Sequence, residues 1–175
     1  MRGLTIAAVL MLGVGVGARV ARAEQPFRAV SVHVPSLGSS GLGLQYEQRA
    51  SRRWSFAGSL GGRRAAGGDY ASFAAGVALE GRYWFLARTR WSGPFAALRL
   101  AAGYTTVSEV ASDRTVGESV NLTPALALGW RWRIRSVELT PSLGLGAEAQ
   151  LDPSGRLASA VVPRATIGLT LGWVF

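Results

Sequence analysis

The sequence predicts an all-β fold: an eight-stranded antiparallel up-and-down transmembrane barrel, preceded by a cleavable signal peptide. Three observations predict it. The closing stretch ATIGLTLGWVF alternates strictly, with Ala165, Ile167, Leu169, Leu171, Trp173 and Phe175 on one face and small or hydroxylated residues on the other. Such a period of two is the signature of a strand with two unlike faces. The opening stretch MRGLTIAAVLMLGVGVGARVARA has Arg2, an apolar run from Leu4 to Val16, and Ala21 and Ala23 in A-x-A spacing. This is the layout of a secretory signal peptide, and the apolar run falls short of the roughly 20 residues that span a bilayer as a helix. Third, the chain holds no cysteine, so an exported domain of this size is expected to hold together through a closed hydrogen-bonded sheet rather than disulfides.

The domain division follows: residues 1–23 as signal peptide and 24–175 as one barrel domain. The formal charge of +9 includes three signal-peptide arginines, so the mature chain keeps 16 arginines against 10 acids. A nucleic-acid role is not expected of an exported chain without a basic face carrying stacking aromatics.

The strands come in order. The first, Phe27 to Val34, shows Val30, Val32 and Val34 on one face, and the second, Gly41 to Arg49, shows Leu42, Leu44 and Tyr46. The third, Trp54 to Arg63, carries Trp54, Phe56 and Leu60, and the fourth, Tyr70 to Phe85, carries Phe73, Val77, Leu79, Tyr83 and Phe85. The fifth, Phe95 to Tyr104, presents Leu98, Leu100, Ala102 and Tyr104, and the sixth, Val120 to Arg133, presents Leu122, Leu126, Leu128, Trp130 and Trp132. The seventh, Val137 to Glu148, shows Leu139, Leu143 and Leu145, and the eighth runs from about Ala160 to the end.

An even number of strands puts both termini on one side, and the connectors fall into two sets. Those after strands two, four and six include the tightest turns; those after one, three, five and seven include the longest, Thr105 to Ser119 and Ala149 to Ser159. Short periplasmic turns and long extracellular loops are the arrangement of bacterial outer-membrane barrels, so both termini are expected in the periplasm. Trp54, Trp84, Trp91, Trp130, Trp132 and Trp173 all fall near the short-turn rim, where a girdle of amphipathic rings meets lipid headgroups, and arginines lie just beyond them. A soluble lipocalin-type barrel would instead keep its large apolar residues inside.

The chain resembles the small eight-stranded outer-membrane barrels, the OmpA/OmpX-type proteins and the generic outer-membrane β-barrel domain family. The resemblance covers the mature chain and is sharpest at the terminal GWVF, which looks like the signal offered to the barrel-assembly machinery, with Leu171, Trp173 and Phe175 as its apolar positions. It implies outer-membrane lipid and lipopolysaccharide as surroundings, the assembly machinery as a partner during biogenesis, and a monomer.

With the apolar face turned to lipid, the other face enters the lumen, which in an eight-stranded barrel has room only for side chains. Glu47, Glu80, Arg82, Arg99, Arg131 and Glu138 are expected to form a connected charge network in its lower and middle parts, with His33, Glu148 and Arg164 above. Unpaired charges there would cost several kcal/mol, so these residues read as a salt-bridged plug rather than an ion pathway. Catalysis is not expected: lipid-modifying enzymes share this architecture, but His33 is the only histidine and has no evident Ser and carboxylate beside it. One histidine and no cysteine leave no metal site, and no cofactor is expected. The glycines of GLGLQY and SLGLGAE keep an inner strand face small and lack the phosphate-loop pattern. The function expected is structural or surface-interacting, with a narrow pore second and a lipid-modifying enzyme third.

Overall fold

The computed structural model describes residues 27–34, 41–86, 92–112, 114–152 and 155–175; the expected signal peptide and Trp91 lie outside them. The described chain is eight strands: β1 (Arg28–Val34), β2 (Gly41–Arg49), β3 (Trp54–Gly67), β4 (Tyr70–Trp84), β5 (Gly93–Glu109), β6 (Thr115–Ile134), β7 (Val137–Leu151) and β8 (Val162–Val174). Each pairs antiparallel with its chain neighbours, and β1 also pairs with β8, closing the barrel.

The alternation in the sequence becomes two cylinders of opposite chemistry. The outer carries the large apolar side chains, with Leu42, Leu98, Leu126 and Leu145 each at least 64% exposed. The inner buries Gln45, Glu47, Arg82, Arg131, Glu138, Thr140 and Thr170. A soluble barrel has the reverse arrangement, because apolar area in contact with water costs about 25 cal/mol per Å². This outer surface is matched to hydrocarbon.

The tight turns at one end follow from local chemistry. Between β2 and β3, Ala50 and Ser51 donate their N–H groups to the Trp54 carbonyl at 3.0 and 3.1 Å, and the Ser51 hydroxyl accepts from the Trp54 N–H at 3.2 Å. Between β6 and β7, Ile134 pairs with Val137, leaving a two-residue turn in which Arg135 takes φ 58°.

At the other end the strands run further than the alternation predicts. β3 continues past Arg63 to Gly67, so the connector expected between Arg63 and Tyr70 contracts to Gly68 and Asp69, with Gly68 at φ 58°. β5 and β6 extend to Glu109 and from Thr115, absorbing most of the loop expected over Thr105 to Ser119. β7 likewise reaches Leu151, while β8 begins at Val162 rather than Ala160. The physical reason is that beyond the apolar band the outer face meets water too. The two-faced pattern then fades, while Thr105, Thr106, Val107 and Val116 keep their preference for extended backbone.

Candidate functional site: a plugged lumen under an open cup

The lower lumen is built around Glu47 on β2, 1% exposed. Its Oε1 accepts a 2.6 Å hydrogen bond from the Ser55 hydroxyl. Its Oε2 accepts from the Arg82 guanidinium at 2.5 Å and from Arg131 as well. Arg82 donates its Nε to Glu80, two residues away on the same face of β4, and Arg131 Nε lies 3.2 Å from Glu138 Oε2 on the neighbouring β7. The result is one chain, Glu80–Arg82–Glu47–Arg131–Glu138, drawn from four strands. Each charge has an opposite partner at contact distance, the condition under which buried ions are tolerated.

Aromatic rings close the floor beneath and between these charges. The Arg131 guanidinium stacks 4.7 Å from the Trp84 ring and 5.3 Å from Phe27, and Arg82 lies 5.0 Å from the Phe95 ring centre. Trp84 and Phe95 pack at 5.0 Å, and the Trp84 indole N–H donates to Ser55 at 3.0 Å, which ties the aromatic floor to the ion chain through one hydroxyl. Glycine makes the room. A Cβ at Gly172 would lie 2.6 Å from Ser31 Cβ and 2.8 Å from Glu138 Oε1, and one at Gly129 would lie 2.3 Å from Phe95 Cζ.

Two expectations need correction. Trp84 is not part of the girdle: at 2% exposure it points into the lumen, because its neighbours Tyr83 and Phe85 occupy the outward positions of the strand. Arg99 lines the lumen but makes no ion pair among the described residues. Its cross-strand neighbour Glu80 turns instead to Arg82. Trp54, Trp130, Trp132 and Trp173 stand exposed on the outer face at the short-turn rim, where Tyr83 packs edge-on between Trp54 at 5.2 Å and Phe85 at 5.7 Å. Leu171 and Phe175 are also outward, and Phe175 exchanges backbone hydrogen bonds with Arg28 at 3.0 and 3.3 Å.

Above the plug lies a cavity of about 370 Å³, lined by every strand, chiefly through Gly, Ala and Thr. His33 stands in its wall, with Nδ1 3.2 Å from the Thr170 hydroxyl and the imidazole lying over Gly168. Glu148 reaches the cavity edge and pairs at 2.9 Å with Arg164, which is more than half exposed at the mouth. His33 is thus one storey below the Glu148–Arg164 pair. The carboxylates near it are engaged by arginines, so no hydroxyl–imidazole–carboxylate relay forms among the described residues. Sequence reasoning missed Ser55, Phe27 and Phe95 as parts of the plug. Both rings were legible from parity, Phe95 with Arg99 and Phe27 with Ala29 and His33.

No protein-family model matches the chain, and no curated protein matches it. Solved structures do. The attachment invasion locus protein Ail of Yersinia pestis aligns at a TM-score of 0.51 with 15% identity, covering 86% of this chain and 97% of that one. Ail in complex with the heparin analogue sucrose octasulfate aligns at 0.51 with 12% identity over 87% and 100%. The N-terminal β-barrel domain of Pseudomonas aeruginosa OprF aligns at 0.55 with 12% identity over 86% and 100%. The chain therefore has the fold of the small eight-stranded outer-membrane barrels. Within that class it is similar to Ail and to the OprF barrel in fold alone, at identities of 12 to 15%.

Proposed function

We propose that this chain is a non-enzymatic integral protein of the bacterial outer membrane, with a structural or surface-interaction role and a lumen plugged by arginine–glutamate pairs. The observation that carries the reading is the joint one of an apolar outer cylinder and an ion chain centred on Glu47 across its bore. The outer-membrane location is supported by the solved neighbours, which are barrels of that membrane. Any partner is met at the long-loop end, where β3 to β7 stand tallest.

Conductance in planar bilayers tests the plug. Refolded protein should add no steady single-channel current, while Glu47→Gln together with Arg131→Met should admit measurable current. Steady current from the unmodified protein would replace the plug with a pore. Orientation is tested separately: a protease site between Ser112 and Arg114 should be cut in intact cells, and one at Ser51 to Arg53 only after the outer membrane is breached.

A further inference from the structure

The charges outside the lumen are divided unevenly between the ends of the barrel. At the short-turn end stand Arg28, Arg49, Arg52, Arg53, Arg133 and Arg135. No described Asp or Glu side chain shares that rim. Glu47, Glu80 and Glu138 are inside the lumen, and Asp69, Glu109, Glu118, Glu148 and Asp152 lie at the long-loop end, where they mix with the arginines there.

Several rim arginines are held by neutral acceptors. Arg53 donates to the Tyr83 hydroxyl at 2.9 Å, Arg49 to the Ser51 carbonyl at 2.9 Å, and Arg133 to the Arg135 carbonyl at 2.8 Å. Being to uncharged groups, the contacts of Arg53 and Arg133 orient their guanidinium groups without neutralising them. The outward tryptophans Trp54, Trp130, Trp132 and Trp173 sit at the same end, and Arg28 shares the outward face with Val30 and Val32. Interfacial tryptophans mark headgroup depth, so Arg28, Arg53 and Arg135 just beyond them stand at the level of lipid phosphates, while Arg133 stays at the mouth of the bore over the Phe27 ring. Arginine's planar fork matches a phosphate with two parallel donors.

We infer that this rim is a collar that selects anionic phospholipids, phosphatidylglycerol-like headgroups, in the leaflet it meets. The inference rests on the membrane reading above and adds a lipid preference confined to one end of the barrel.

Contact quenching of tryptophan by brominated lipid tests it, because every described outward tryptophan is at this rim and Trp84, inside the lumen, serves as an unquenched internal reference. The protein is refolded, in a Trp91→Phe background, into vesicles of phosphatidylcholine mixed with phosphatidylglycerol, with the bromine on one lipid or the other. At low salt, phosphatidylglycerol should occupy the rim about fivefold or more above its bulk share, given that one basic residue near an anionic surface is worth about that factor. The preference should fall as salt shortens the screening length. It should approach parity in the triple variant Arg28→Gln, Arg53→Gln, Arg135→Asn, and Arg28→Gln alone should lower it in part. Equal quenching by the two lipids, or a preference unchanged in the variants, would overturn the collar and leave the membrane reading standing. Quenching by neither lipid would overturn both.

Discussion

The lower and upper halves of the lumen share the same strands and differ in what those strands carry inward. Below, Glu47, Arg82, Arg131, Glu138, Trp84 and Phe95 fill the bore with charge and aromatic surface until almost nothing is exposed. Above, Gly43, Gly61, Gly76, Gly103 and Gly168 line an open cup with His33 and Arg99 in its wall. The difference teaches that the backbone cylinder sets a radius but not its contents. A barrel of eight strands is solid where its inward residues are long and hollow where they are small.

The largest break in that comparison should come from Glu47→Gln. It leaves Arg82 and Arg131 buried with their shared carboxylate gone, so the refolded barrel should lose about 3 to 5 kcal/mol in denaturant unfolding. Glu148→Gln removes a partner from the half-exposed pair at the mouth and should cost about 0 to 1 kcal/mol. Equal losses would mean that the two halves do not differ in dielectric.

Next comes packing. Gly172→Ala drives a methyl into Ser31 and Glu138, and overpacking of this kind costs roughly 1 to 3 kcal/mol. At Gly103 in the cup the nearest atom to an added Cβ is the Ala75 carbonyl oxygen at 3.4 Å, so Gly103→Ala should be close to neutral in the same unfolding assay.

Smaller still, Trp84→Phe gives up the hydrogen bond to Ser55, an effect of about 0.5 to 1.5 kcal/mol, and removes the emission that brominated lipid cannot reach. Trp130→Phe should leave stability nearly unchanged and remove only its share of the lipid-quenched emission, the rest coming from Trp54, Trp132 and Trp173. The smallest effect expected is a gain. Arg135 holds a left-handed conformation that costs a side-chain-bearing residue about 1 to 2 kcal/mol, so Arg135→Gly should raise the unfolding midpoint by part of that amount.

Most of the cylinder was legible because a membrane enforces alternation: Leu98 and Leu100 outward oblige Ala97 and Arg99 inward, whatever the tertiary detail. Trp84 shows where residue type misleads. Its position along the strand fits a girdle, but the parity of Tyr83 and Phe85 had already turned it inward. The choice of partner for Glu80 was not legible. Parity puts Arg82 and Arg99 on the same inner face within reach, and only the side-chain packing decides between the adjacent strand and its own. Strand ends at 109 and 115 were hidden for the opposite reason, since outside the lipid no solvent contrast writes a pattern into the sequence.

Among the described residues β1 is paired with β8 over Ala29–Val34, with Arg28 and Phe175 exchanging further backbone hydrogen bonds, whereas the ladder between β5 and β6 runs from Gly93 to Ser108. A cylinder held by hydrogen bonds parts most readily along the seam that no turn crosses. The β5–β6 hairpin, long and local, is suited to be the first piece of the sheet to stand, and the β1–β8 seam, which joins the two ends of the chain, the last to zip and the first to fray. Amide protection should therefore decline around the circumference toward that seam, so that a barrel uniform in shape ages unevenly.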